Sequence, residues 1–405
     1  MWNKIICEVN ETKQINRILG KIYRFLLNSK GVLPLGTIGG YGGSLLFLLF
    51  MYKNSYEEHY MDELQRRIQI VCSNLGYVKL DSFCNGLAGI CWLLRYLHAE
   101  GVIECDDINS LLHDLDKRLF DNILNNNTND DFLHGSLGIA YYFLCYNSCY
   151  SEKVVSHYLS SLNERKIDEA CNIFKWLSNN LSLENKIEKA YNLGMAHGMA
   201  SLVGFLSTCI TSKCQEMKAS LLLDGLINYY MNCINPEYLG SMFSFWLYPD
   251  KNGYQRTRLA WCYGDLGIAS AIYQAGKATS NEKIKNFALN IFDSTLSRIG
   301  RNEDTVEESS FCHGSAGLSV IYNTIYQETH LDKYKKAALY WIDDTIQKSY
   351  KGGIYAGYEL PHINLEGEEN SSNVLSLING LSGIGLTLLS SISDDIPTWK
   401  KCFML

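Results

Sequence analysis

Residues 261–273 read WCYGDLGIASAIY, in which the motif Gly264-Asp-Leu-Gly267 opens a run that is apolar on every side. The same motif, G-x-x-G followed by an apolar run, occurs seven times, with first glycines at Gly40, Gly86, Gly135, Gly198, Gly264, Gly314 and Gly380. Successive copies are 46 to 66 residues apart, and the fourth has Ser201 in place of the second glycine. A motif that recurs at such a period predicts a fold built from repeated units.

A second kind of segment lies between the copies and has the apolar spacing of an amphipathic helix. In Leu331 to Ile346 the apolar residues fall at i, i+3, i+4, i+7 and i+8, namely Tyr334, Ala337, Ala338, Trp341 and Ile342. Similar segments cover residues 12–27, 62–75, 106–124, 217–231 and 282–299. An amphipathic helix belongs at the surface and a uniformly apolar helix in the interior, so each repeat is predicted to pair an outer with an inner helix.

Seven such pairs predict an all-α fold, an α/α toroid of seven helix-pair repeats in two concentric layers. An open solenoid would need polar caps at its ends, but the first and last copies keep the same apolar character. The chain is accordingly predicted to be one domain, residues 1–405. Two longer intervals, 141–193 and 235–260, contain irregular stretches rich in aromatic residues and leave room for insertions.

The net charge and the N-terminal sequence limit the cellular compartment and the binding partners that we expect. The net charge is −7 and no block of five like charges occurs, so neither nucleic acid nor an anionic membrane is an expected partner. The N-terminus has no basic region followed by an apolar stretch, and the longest apolar run near it, Leu45 to Met51, has seven residues. We therefore expect a soluble, cytoplasmic protein. Thiols stay reduced there, so the 14 cysteines are not expected to form a disulfide framework.

Two cysteines stand immediately before repeat motifs, in Cys262-Tyr263-Gly264 and in Cys312-His313-Gly314. If each motif starts an inner helix, these residues lie on the same rim of the toroid. Two thiolates and one imidazole with a vacant fourth position are the ligands of a catalytic zinc site, and such soft donors select zinc over magnesium or calcium. The residues alone also allow the interpretation that both cysteines are ordinary buried residues at helix starts.

Polar side chains stand near the same rim in two other repeats. His197 directly precedes the fourth motif, and Asp131 lies four residues before the third. His134 occupies the slot before a glycine as His197 does, and it competes for the same role. A lone histidine is commonly structural and an aspartate at a helix start is commonly an N-cap, so a structural interpretation stays open for each residue.

The seven repeats, together with the motifs N-L-G-M-A-H-G (192–198), W-C-Y-G (261–264) and C-H-G (312–314), resemble the lanthionine synthetase C-like family, which includes the lantibiotic cyclases. The resemblance covers nearly the whole chain and implies an α/α toroid. It also implies that a small α/β lobe that binds peptide can be inserted, with 141–193 as its candidate host. No kinase or dehydratase region precedes the repeats, so a free-standing cyclase is expected.

For the site, the resemblance implies one Zn²⁺ per chain and a Cys₂His ligand set. The ligands would be Cys262, Cys312 and His313. It also implies functional roles for four further side chains, which are those of His197, Asp131, Arg258 and Tyr263.

The implied reaction is the addition of cysteine thiolates of a peptide to dehydroalanine or dehydrobutyrine, which forms lanthionine or methyllanthionine rings. The implied partners are the dehydrated precursor peptide, with its leader and core, a lantibiotic dehydratase and an ABC transporter at the inner face of the membrane. Two alternatives stay open: a non-catalytic, glutathione-like thiol or peptide binder of the same family, and a zinc-dependent prenyltransferase-like toroid. The latter needs a basic pocket for a diphosphate, and no Lys/Arg cluster stands beside the motifs.

Overall fold

The structure is a computed structural model that describes residues 2–29, 34–105, 107–125, 129–169, 172–181, 187–249, 253–360 and 373–405. Within these ranges the chain forms fourteen α-helices and five short β-strands. The helices are α1 (Val9–Asn28), α2 (Gly43–Ser55), α3 (Glu58–Asn74), α4 (Leu87–Ala99), α5 (Ile108–Asn125), α6 (Ser136–Cys145), α7 (Ser151–Arg165), α8 (Met199–Thr211), α9 (Glu216–Asn232), α10 (Asp265–Ala278), α11 (Glu282–Leu296), α12 (Ser315–Thr329), α13 (Asp332–Lys348) and α14 (Leu381–Ile392). Among these described helices, none combines the length and apolar character that crossing a bilayer requires.

The even-numbered helices begin at the repeated motif. In six of them the first glycine of the motif is the N-cap residue, with extended backbone angles, whereas the N-cap of α2 is Gly42. These helices are buried along most of their length, as in α4, where every residue from Leu87 to Leu97 is buried. The prediction of seven inner helices is confirmed.

The second glycine of the motif is required by a close backbone contact. A Cβ atom built at Gly267 would lie 2.0 Å from the carbonyl oxygen of Trp261, and one at Gly317 would lie 1.8 Å from that of Phe311. A residue without a side chain is therefore needed where the motif loop folds back on the first turn of the inner helix. The same contact fixes the loops that carry residues 262–263 and 312–313.

The odd-numbered helices are amphipathic, as the apolar spacing predicts. In α13 the buried residues include the predicted stripe from Tyr334 to Ile342. One outer helix, α7, lies inside 141–193 and was not predicted. Its buried stripe of Val154, Val155, Tyr158, Leu159 and Leu162 has the same helical spacing as the other outer helices. Asp106, the first residue of one predicted outer segment, lies outside the described residues.

Contacts between backbone positions divide the chain into two compact units. The first comprises Met1–Glu104, Thr305–Phe403 and Leu405 and contains α1–α4 and α12–α14. The second comprises Cys105–Asp304 and Met404 and contains α5–α11 with all five strands. The prediction that residues 1–405 form a single domain stays a prediction.

Each unit has the predicted inner and outer layers of helices. In the first unit the inner helices α12, α14 and α2 pack side by side, and α13 and α3 pack on α12 and α2. In the second unit α6, α8 and α10 pack side by side, and α7, α9 and α11 pack on them. The loops that open the inner helices therefore come together at one end of each layer.

The strands form two small antiparallel sheets in the second unit. β1 (Ile167–Glu169) pairs with β2 (Ile173–Lys175), with Asp168 opposite Phe174. The other sheet has the order β3 (Ser178–Leu181), β4 (Ile187–Asn192), β5 (Trp246–Leu247). Four of the strands lie between α7 and α8, where the sequence leaves room for an inserted lobe. Residues 170–171 and 182–186 of that interval lie outside the described residues.

Candidate functional site

Backbone hydrogen bonds join the motif loops of the first unit side by side. The amide of Cys312 donates to the carbonyl of Ile378 (2.9 Å), that of Ile378 to Ile38 (3.1 Å), and that of Ile38 to Cys84 (3.2 Å). All four residues stand two positions before the first glycine of their motif. The loops are thus locked to one another by their backbones, and Cys312 and His313 are carried by one of them.

The second unit uses the same arrangement at Cys262. The carbonyl oxygen of Cys262 accepts hydrogen bonds from the amides of Met195 (2.7 Å) and Ala196 (3.3 Å). A Cβ atom at Gly194 would lie 2.7 Å from that oxygen and 2.6 Å from Cδ1 of Tyr263, so glycine is needed there. The loop that ends in His197 is therefore held directly against the Cys262–Tyr263 peptide.

Asp131 and His197, which are 66 residues apart in the sequence, are hydrogen-bonded partners. His197 Nδ1 lies 2.8 Å from Asp131 Oδ2, and the backbone amide of His134 donates to the other carboxylate oxygen (2.9 Å). Burial raises the pKa of Asp131, but the hydrogen bond and charge of His197, with the His134 amide, outweigh burial and hold that pKa below its ordinary value. Since Nδ1 faces the carboxylate, Nε2 is the ring nitrogen left for a substrate.

His134 lies beside this pair but has a different relationship to it. Its ring stacks on that of His197, with centroids 5.6 Å apart and planes 19° apart. Burial is the main reason that the pKa of His134 lies below its ordinary value; the Asp131 charge opposes this and the His197 charge adds to it. Asp131 accepts one hydrogen bond from the backbone amide of His134 and another from the imidazole of His197. His197 is therefore the histidine whose ring the carboxylate orients.

Tyr263 belongs to an aromatic wall next to His197. Its ring centroid lies 5.8 Å from that of His197, 5.9 Å from that of Phe245 and 5.6 Å from that of Trp246. Its hydroxyl accepts a hydrogen bond from Nδ2 of Asn192 (3.3 Å). Sequence reasoning did not single out Asn192, Phe245 or Trp246. The available signals were the first letter of N-L-G-M-A-H-G and the aromatic cluster at 243–248.

Arg258 is exposed in the segment that leads to Cys262. Its carbonyl oxygen packs against Gly264, where a Cβ atom would lie 2.4 Å away. The hydrogen bonds and ion pairs of the described residues do not connect its guanidinium to Asp131, His197 or Tyr263. The structure therefore brings together three of the four predicted non-metal side chains, and Arg258 stands apart from them.

The predicted metal ligands have the burial and chemistry that a metal site requires. Cys262 is 4% exposed and Cys312 is 8% exposed. His313 is partly buried, and within the first unit its Nε2 contacts the carboxylate of Glu308. Cys262 lies in the second unit, and Cys312 and His313 lie in the first. Two thiolates and an imidazole match the ligand preference of zinc.

A separate cavity of about 720 Å³ opens beside β4 and β5. Four tyrosines contribute to its lining, namely Tyr191, Tyr229, Tyr248 and Tyr254. The ammonium group of Lys175 lies over two of these rings, 4.4 Å from the centroid of Tyr191 and 5.5 Å from that of Tyr229. The same ammonium pairs with the carboxylate of Glu169, which also lines the cavity, so the small sheets present an aromatic surface with an ion pair beside it.

Comparisons with known proteins give a family and a fold. A family model described as "Lanthionine synthetase C-like protein" matches residues 31–404. The solved structure of a nisin cyclase is similar to this chain, with a TM-score of 0.73, 18% sequence identity and coverage of 98% of both chains. No curated protein sequence matches this chain significantly. The structural likeness confirms the predicted all-α fold class, the α/α toroid of helix-pair repeats.

Proposed function

Because this chain belongs to the lanthionine synthetase C-like family, we propose that it is a zinc-dependent lantibiotic cyclase. Its substrate is a peptide that already carries dehydroalanine or dehydrobutyrine residues. A cysteine thiolate of the peptide adds to the β-carbon of a dehydro residue, which closes a lanthionine or methyllanthionine ring. The observation that carries the proposal is the hydrogen-bonded pair of Asp131 and His197, whose loop packs against Cys262.

The donor atoms of the proposed site determine which metal it would bind. Cys262, Cys312 and His313 would hold one Zn²⁺ per chain, because two thiolates and one imidazole are donors that suit zinc. When bound, zinc supplies the substrate sulfur as a thiolate, since a free cysteine has a pKa of about 8.5 and is mostly protonated at neutral pH. Side chains of the protein perform the remaining tasks.

Proton transfer belongs to His197 in this proposal. When the C–S bond forms, the electron pair of the former double bond moves to the α-carbon and its carbonyl as an enolate, which must be protonated. Because Asp131 accepts a hydrogen bond from Nδ1, protonated His197 donates from Nε2. The low pKa of Asp131 keeps its carboxylate charged, so it stabilises the imidazolium. One proton leaves the thiol and one reaches the α-carbon, so the mass of the peptide does not change.

Two further groups act on the developing enolate oxygen. The hydroxyl of Tyr263, which accepts a hydrogen bond from Asn192, is the phenol that would donate to that oxygen in this proposal. Arg258 is exposed four residues before Cys262, and its role is to add positive charge near the enolate or to support the metal ligands. Phe245 and Trp246 form a wall against Tyr263 that fixes its ring.

The test is a reaction of the purified protein with a dehydrated precursor peptide. Alkylation of the remaining free thiols, followed by mass spectrometry, counts the rings that have formed. Loss of alkylatable thiols without a change in peptide mass supports cyclisation. Binding with no loss of thiols would instead indicate a non-catalytic thiol or peptide binder, and a mass increase with a lipid diphosphate would indicate prenyl transfer. Metal analysis is expected to give about one zinc per chain.

The aromatic cavity beside β4 and β5 is the proposed contact for the leader segment of the peptide. Tyrosine rings supply rigid apolar contact area with few rotatable bonds, and the ion pair of Lys175 and Glu169 adds polar contacts at the same surface. A lantibiotic dehydratase and an ABC transporter complete the proposed partners. They would bring the cytoplasmic protein to the inner face of the membrane.

A further inference from the structure

A buried arginine forms hydrogen bonds to residues before and after Cys262 in its loop. The guanidinium of Arg298, just after α11, is 1% exposed. It donates to the carbonyl of Thr257, five residues before Cys262, and to Oδ2 of Asp265 (3.0 Å), three residues after it. Asp304 balances the charge, accepting from Nη2 (2.7 Å) and Nε (3.1 Å) of the same arginine.

The loop that leads to Cys312 is held in a similar way within the first unit. Lys348 is the last residue of α13, and its side chain is 9% exposed. Its ammonium donates to the carbonyls of Val306 (2.6 Å) and Glu308 (3.3 Å) and pairs with Asp344. The held carbonyls lie six and four residues before Cys312. In both repeats a cation from the end of the outer helix fixes the backbone ahead of a predicted metal ligand.

A buried cation also occurs in a repeat that carries no predicted metal ligand. Arg67 in α3 is fully buried and pairs with Glu63 at 2.7 Å. It donates to Oγ of Ser44 (3.0 Å) and to the carbonyl of Leu26 (2.7 Å), which belong to α2 and α1. These bonds join helices to one another and do not reach the segment ahead of a motif. The guanidinium also lies 4.7 Å from the ring centroid of Tyr41, inside the first motif, which carries no predicted metal ligand. Loss of Arg67 should therefore affect stability without moving a predicted ligand.

We propose that Arg298 and Lys348 are positioning residues that preorganise Cys262, Cys312 and His313 for the metal. A buried charge is stable only where its hydrogen bonds are satisfied, so each cation holds its carbonyl partners in one arrangement. Ligands fixed in advance lose less conformational freedom when a metal binds. The inference rests on the proposed zinc site, and it adds residues from outer helices to it.

The test compares zinc affinities by competition with a chromophoric chelator, without reference to cyclase activity. Arg298→Met and Lys348→Met remove the charge and keep an unbranched side chain, and each is expected to lower zinc affinity by about 10- to 100-fold. The matched control Arg67→Met is expected to lower the Tm while zinc affinity stays at the wild-type value. If the methionine variants do not fold, Arg298→Lys and Lys348→Arg take their place, and each is expected to lower zinc affinity by a smaller factor.

The outcomes separate this inference from the proposed function. Wild-type affinity in the Arg298 and Lys348 variants overturns the positioning role and leaves the zinc site standing. An equal loss of affinity in Arg67→Met also overturns it, because the effect would then follow general destabilisation. A wild-type protein that binds no zinc refutes the proposed zinc site itself.

Discussion

Replacing Asp131 with Asn tests the proposed proton-transfer step most directly. The substitution keeps the shape of the side chain, and its Oδ1 can still accept the backbone amide of His134, which now donates at 2.9 Å. What is lost is the negative charge that faces Nδ1 of His197 at 2.8 Å. The variant should therefore fold normally, while the imidazolium of His197 loses its stabilising partner.

The expected loss of cyclisation rate follows from the strength of the hydrogen bond between Asp131 and His197. A hydrogen bond to a charged group contributes about 1.5–3 kcal/mol, and each 1.36 kcal/mol of barrier changes a rate about tenfold. If the stabilisation is fully present in the transition state, Asp131→Asn lowers the cyclisation rate by about 10- to 100-fold. Zinc content is expected to stay at the wild-type level, because Asp131 is not among the proposed ligands.

The assay is single-turnover loss of alkylatable thiols from a dehydrated peptide, and the adjacent aspartate provides the control. Asp130 accepts from the hydroxyl of Tyr158 (2.7 Å) and from both terminal nitrogens of Arg165 (2.6 and 2.9 Å). Asp130→Asn is therefore expected to lower the free energy of unfolding and to leave the rate unchanged. A wild-type rate in Asp131→Asn, or an equal loss of rate in both variants, would refute the role given to Asp131.

Three further outcomes are expected. His197→Ala should retain zinc, measured by metal analysis, and lose ring closure; full cyclisation by this variant would contradict its assignment as the acid. Because the folded-state pKa of Asp131 is lowered, its stabilisation is present above the unfolded pKa of about 3.9 and is lost as the pH falls through the folded value. The difference in unfolding free energy between wild type and Asp131→Asn, measured in urea, should therefore shrink below about pH 4. Tyr254→Ala should weaken binding of a labelled precursor peptide in fluorescence anisotropy by about 5- to 10-fold, whereas Tyr238→Ala, which is exposed and does not line the cavity, should not.

The inner helices were predictable because a single local rule governs them. The carbonyl of Trp261 leaves no space for a Cβ atom at Gly267, so the motif keeps its glycine and marks the helix start. No comparable motif marks the start of α7, although its apolar residues have helical spacing. The short strands pair as β1 with β2, β3 with β4, and β4 with the distant Trp246–Leu247, and the last pairing has no local signal in the sequence.

The candidate site was predictable in its residue types but not in its pairings. Asp131 lies close in sequence to His134 and far from His197; the residues alone left both histidines open, and only the family resemblance favoured His197. In the structure, one carboxylate oxygen of Asp131 accepts a hydrogen bond from the backbone amide of His134, and the other is hydrogen-bonded to the imidazole of His197. Arg298 and Lys348 gave no signal either, because single cations near helix ends are usually solvated.

The repeat explains how chemistry could be added without disturbing the fold. In most of the described motifs the residue two positions before the first glycine uses its backbone to bind a neighbouring loop, as the Cys262 carbonyl and the Cys312 amide do. Its side chain is therefore free to differ between repeats, from Ile38 to Cys84 to Cys312. The next position varies in the same way and carries His197, Tyr263 and His313. Substituting alanine for Cys262 or Cys312 should consequently remove a metal ligand while the loop keeps its backbone bonds, so loss of zinc without loss of fold is the outcome that this architecture requires.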